Sequence, residues 1–113
     1  MILDDMVGAV RRLIELGAAS TPDSLGSERN EADMLQWNLV VLGEAAKRVP
    51  EATRQRFPGV PWQQASRTRD RIAHHYEGVN WRLVAEIVYE DLPDLLPQLT
   101  QIRNTLRDEA ESA

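Results

Sequence analysis

Apolar residues recur at three- and four-residue spacing along most of this chain, and nowhere do they alternate strictly with polar ones. That is the period of an α-helix laid against a core, so helices must supply the fold and strands cannot. The clearest run, Leu3, Met6, Val7, Val10, Leu13, Ile14 and Leu16, predicts a helix over 2–17. Ala18 to Asn30 then carries Ser20, Thr21, Pro22, Asp23, Ser24, Gly26 and Ser27, the chemistry of turns. A second helix is expected from Asn30 as its cap, with Glu31 and Asp33 in its first turn. Its stripe is Met34, Leu35, Val41, Leu42, Ala45, Ala46 and Val49; Trp37, Leu39 and Val40 widen it, as in a central or interface helix. Small Gly43, Ala45 and Ala46 allow a neighbouring helix to come close.

Pro50 suits the first turn of a short helix over 50–57, which Phe57-Pro58-Gly59 stops. Pro61 opens another helix, expected to run through Trp62 and Ala65 to about Ala73–His75. Gly78 and Asn80 mark a break and a new cap. The last helix carries Trp81, Val84, Ile87, Val88, Leu92, Leu95, Leu99, Ile102 and Leu106, and Pro93 and Pro97 inside it predict a kink or break near 91–97.

The 113 residues suit one all-α domain, a bundle of four to five helices. Residues 19–30 read as a flexible linker between the first two helices and 108–113 as a frayed tail. With no cysteine there is neither a disulfide framework nor a thiolate metal site. No apolar run is long enough to span a membrane, and the N-terminus carries acids where a signal peptide needs basic residues. A cytoplasmic location is the expectation.

The net charge of −5 argues against a general nucleic-acid coat protein, yet the charge is unevenly spread. Residues 47–76 hold seven basic side chains against two acidic ones, and residues 86–113 hold two basic against seven acidic. A basic middle of this kind can hold a polyanion or meet an acidic surface.

Both histidines of the chain, His74 and His75, lie directly after Arg67, Arg69 and Arg71 and directly before Tyr76. On a continuous helix Asp70 and His74 share a face, so the carboxylate would orient the imidazole and favour its charged form. Arg69 and Tyr76, seven apart, also align. Arg69 and His74 differ by about 140° on a straight helix, so they would converge only at a helix end or across a two-fold interface. Cleaving RNA without a metal needs a general base, a general acid and a cation for the charged transition state. A histidine titrating near neutral pH and an arginine with a phosphate-matching fork supply that minimum. On local chemistry alone, a solvated charged helix explains the same residues at least as well. Adjacent histidines diverge on a helix, so a shared metal is the weakest reading.

Three blocks together resemble a known family: Leu42-Gly43-Glu44-Ala45-Ala46-Lys47, Phe57-Pro58-Gly59-Val60-Pro61-Trp62, and Arg69-Asp70-Arg71-Ile72-Ala73-His74-His75-Tyr76. In order and distance they look like the HepT-like toxins of the HEPN class, over roughly residues 1–106. The resemblance implies a HEPN-type antiparallel helical bundle forming a homodimer, and metal-independent endoribonuclease activity without a cofactor. It also implies the toxin role in a type VII-like toxin–antitoxin pair, with an MNT-class nucleotidyltransferase as antitoxin that transfers AMP to the motif tyrosine. Carried over residue by residue, Arg69 and His74 are the catalytic pair, Asp70 the polar residue beside the arginine and Tyr76 the modified tyrosine. Arg67, Arg71 and His75 are candidates for holding RNA. His75 stands where the family commonly has glycine, which opens an alternative register from Arg69 to His75. The alternatives are a non-catalytic helical module that docks a nucleotidyltransferase and presents Tyr76, and a subunit that helps such a partner bind a nucleotide.

Overall fold

The computed structural model describes residues 1–74 and 78–113. Helices α1 (Ile2–Ala18), α2 (Arg29–Lys47) and α7 (Leu92–Ser112) are the long ones. Between α2 and α7 come the short α3 (Glu51–Arg56), α4 (Trp62–Ser66) and α5 (Thr68–Ile72), a two-stranded hairpin of β1 (Ala73–His74) and β2 (Gly78–Val79), α6 (Trp81–Glu86) and a π-helical turn, Ile87–Asp91. The chain is an all-α bundle, as its periodicity requires.

The α1 stripe is buried at Leu3, Met6, Val7, Val10 and Leu13, and each such side chain contributes about 1.5–3 kcal/mol when taken out of water. Helix α2 packs antiparallel to α1: Arg12 Nε donates to Asn38 Oδ1 at 2.7 Å, and Arg48 stands 3.8 Å from Asp5. Helix α7 is also antiparallel to α1, with Arg107 on Asp4 at 2.7 Å. The other flank of α2 carries α4 and α5. There Gly43 brings α2 close to the α4–α5 junction, where a Cβ would lie 3.5 Å from the Ala65 carbonyl oxygen. Trp37, by contrast, is 66% exposed on the outer face of α2.

The connection before α2 is built from its own polar groups. Thr21 and Ser24 bond to one another, Leu25 inserts into the core, and the Gly26 N–H donates to Glu31 at 2.7 Å. Gly26 has φ +81° and lies against the Trp81 ring. Helix α2 starts at Arg29 rather than at Asn30, because the Glu28 carboxylate accepts from Asn30 N and Glu31 N. Those two donors hold its pKa below the usual carboxylate range.

Two sequence expectations are corrected. The helix opened by Pro61 does not run on to Ala73–His75: it breaks at Arg67 and ends at Ile72. The distortion expected at 91–97 falls earlier, as the π turn at 87–91, while α7 continues through Pro97. A proline ring presses on the carbonyl four residues before it, so the strain from Pro93 lands at Tyr89. The π turn widens there, with Leu92 N–H donating to Ile87 O. Tyr89 ties this turn to the end of α1, its hydroxyl donating to Gly17 O at 2.8 Å. Burial, with the Glu31 charge second, pushes the Tyr89 phenol pKa up.

Candidate active site

The motif sits where α5 stops. Trp62 is buried and donates through Nε1 to Phe57 O at 2.9 Å, which fixes the start of α4. Thr68 is buried too, and its hydroxyl donates to Ala65 O at 2.7 Å. A threonine bonding back to the preceding turn competes with the helical ladder, and α4 gives way to α5 at Arg67. Buried Ile72 anchors the far end of α5.

After Ile72 the backbone extends: Ala73 has φ −73° and ψ 131°. Asn80 N–H donates to Ile72 O at 2.6 Å, and the strands pair with Ala73 opposite Val79 and His74 opposite Gly78. Gly78 takes φ +86°, open to solvent. Asn80 then caps α6, accepting from Leu83 N at 3.2 Å.

This geometry replaces the helical phasing expected for the motif. Arg69 and Asp70 are exposed on α5, whereas His74 belongs to β1. The helical phasing of Asp70 with His74, and the 140° offset of Arg69 from His74, therefore do not apply, because α5 ends at Ile72 and His74 lies in β1. An extended residue advances about 3.3 Å against 1.5 Å in a helix, so His74 is carried clear of the last turn of α5. Arg69 lies within α5, and His74 lies two residues beyond its end at Ile72. His75 and Tyr76 lie outside the described residues, and with them the expected alignment of Tyr76 on Arg69.

Arg67, at the α4–α5 joint, is exposed. Arg71 is half-buried and reaches toward Asp91 of the π turn, 4.0 Å away. Arg56 pairs with Glu109 of α7 through both guanidinium nitrogens. That bond, with the Glu109 charge, raises the Arg56 pKa and, with the Arg56 charge, lowers that of Glu109. Among the described residues the basic middle and the acidic end of the sequence thus meet inside one molecule at Arg56–Glu109 and Arg71–Asp91. Among the described residues no three histidine, aspartate or glutamate side chains come together to hold a metal ion, and no helix is long and apolar enough to cross a membrane.

Sequence reasoning missed the hairpin, the π turn and the approach of Asp91 to Arg71. Two-residue strands leave no alternation to detect. Only Gly78 before the Asn80 cap signalled a reversal.

The family model described as "Ribonuclease HepT-like" matches residues 6–102. A Methanocaldococcus jannaschii protein described as a "Putative RNase" is 28% identical over 111 residues, 98% of this chain and 92% of that protein. A Thermococcus cleftensis protein described as "Probable ribonuclease HepT" is 35% identical over 65 residues, 58% of this chain and 59% of that protein. A "Putative RNase" of Caldanaerobacter subterraneus is 35% identical over a stretch of the same length, 58% of each. No solved structure matches. The match to the family model spans the bundle from α1 to α7 and includes α5 with Arg69 and β1 with His74, so the chain belongs to the HepT-like ribonuclease family.

Proposed function

We propose that this chain is the toxin of a toxin–antitoxin pair, an endoribonuclease that cuts RNA without a metal ion and works as a homodimer. Family membership carries the reading, together with an exposed Arg69 at the helix end from which the His74 strand departs. In the reaction a 2′-oxygen attacks the adjacent phosphorus, its proton goes to a base, and the 5′-oxygen leaves with a proton from an acid. Arg69 neutralises the charge gathering on the phosphoryl oxygens. His74 is the acid–base group. Each chain contributes one motif imidazole, so a dimer supplies one to take the proton and one to give it. Asp70, the polar residue beside Arg69, orients the imidazole. Arg67, Arg71 and His75 hold flanking RNA.

The test is cleavage of RNA by the purified protein with a chelator present. His74→Ala is expected to slow cleavage by about 10²–10⁴-fold. Full activity in that variant moves the role to His75, and absence of cleavage by the parent protein defeats the reading.

The partner in this reading is a nucleotidyltransferase of the MNT class that silences the toxin by attaching AMP to Tyr76. Added bulk and negative charge near Arg69 would exclude an RNA phosphate. Mass spectrometry after co-expression with such an enzyme is expected to show added mass in whole AMP units, absent in Tyr76→Phe. A tight complex with unmodified Tyr76 would instead mean inhibition by occlusion.

A further inference from the structure

Helix α5 presents Arg69 to solvent and lays Thr68 and Arg71, three residues apart and so on one face, against a cavity of about 220 Å³. The floor is apolar and buried, from Leu42 of α2, Ala65 of α4 and Leu92 at the start of α7. The rim is polar, with Gln64 and Arg71, and with Asp91, Asp94 and Gln98; of the two carboxylates it is Asp91 that stands 4.0 Å from Arg71. The volume is below the ~300–1,000 Å³ of sites that engulf a drug-sized ligand. It suits one planar ring system and excludes a run of nucleotides.

The rim pair is loosely engaged. Arg71 and Asp91 are 4.0 Å apart with side chains 29% and 54% exposed. Such partly exposed pairs are worth about 0–1 kcal/mol, so a ligand diverts both groups at little cost. The carboxylate accepts two parallel donors and the guanidinium gives two. Among the RNA bases guanine alone sets two N–H donors side by side, at N1 and N2, and also offers two acceptors, O6 and N7. Thr68, at the cavity wall, directly precedes Arg69. The cavity and Arg69 are thus served by one helix of five residues.

We infer that this cavity is a base-recognition subsite, in which Asp91 and Arg71 read a guanine adjoining the scissile phosphate. The inference rests on the ribonuclease reading for its position in the RNA but not for its chemistry. The test is therefore a binding measurement on uncleavable RNA. Fluorescence anisotropy with short 2′-O-methyl oligouridylates carrying one guanosine, inosine, adenosine or cytidine is expected to show guanosine held about 10-fold tighter than the others. Inosine lacks the N2 amine and probes the Asp91 contact from the RNA side, whatever the folding of a variant. Asp91→Asn is expected to make guanosine and inosine equal, and Arg71→Gln to weaken both. Equal affinity for all four oligonucleotides overturns the inference, as does a guanosine preference that survives both substitutions. If binding discriminates and no RNA is cut, the subsite stands and the ribonuclease reading falls. If RNA is cut alike beside every base, the ribonuclease reading stands and the subsite falls.

Discussion

Gly26→Ala is expected to lower the melting temperature by about 10 °C or more, the largest stability loss from any single methyl group added to this fold. Two costs coincide there. The residue has φ +81°, a conformation that costs a side chain about 1–2 kcal/mol. A Cβ would also stand 2.4–2.6 Å from three atoms of the Trp81 ring, and forcing such a contact open costs about 1–3 kcal/mol more. Trp81 begins α6 and Leu25 enters the core one residue before Gly26, so neither neighbour yields freely. Two other glycines separate the terms. Gly78 has φ +86° with nothing within 4 Å of a Cβ, so Gly78→Ala should show the conformational cost alone. Gly59 is equally open without the positive φ, and Gly59→Ala should melt at or slightly above the parent. Circular dichroism melts of the three variants decide the matter. A parent-like Gly26→Ala would mean that Trp81 does not cover this loop.

The second large effect is chemical. Arg69→Ala is expected to reduce RNA cleavage by about 10³-fold, the scale of losing one preorganised charge at a phosphoryl transition state. Because Arg69 is exposed on α5, the melting temperature should stay near that of the parent. Most of the loss should appear in kcat. Arg69→Lys keeps the charge but not the two-pronged geometry, and should recover only part of the activity. In cells Arg69→Ala should relieve growth arrest caused by expressing the chain alone. Undiminished cleavage by Arg69→Ala would transfer the role to Arg67 or Arg71. A parent protein that binds a nucleotidyltransferase but cuts nothing would favour the non-catalytic module.

The long helices were legible because their signal is local and repeated. The α1 stripe, the wide apolar surface of α2 and the Asn80 cap each follow from side chains within a turn or two of one another. The motif was legible as composition and spacing but not as shape. Nothing local tells Ile72 to end a helix. The stop depends on Asn80 N–H reaching Ile72 O and on Thr68 being drawn into the α2 interface, both set by tertiary packing. A continuous helix through His74 was therefore the natural expectation and the wrong one. The charge asymmetry was visible as a sum, whereas its partial closure by Arg56 with Glu109, 53 residues apart, was not. Asp91 was one acid among seven in the acidic tail, and only the π turn singles it out by carrying it to the cavity rim beside Arg71.

That turn also bears on how chain length can vary in this fold. A π turn holds one residue more than the α-helical turn it replaces, while the helices on either side keep their facing. Deleting one residue between Ile87 and Asp91 would let α6 and α7 fuse into a regular helix, with Leu95, Leu99 and Ile102 still turned to the core. The same deletion inside α7 has no slack to absorb it and would rotate everything beyond by about 100°. Residue identity at the cavity rim and residue number in the π turn are thus separate constraints, and a homologue one residue shorter here would keep the bundle while losing the bend that presents Asp91.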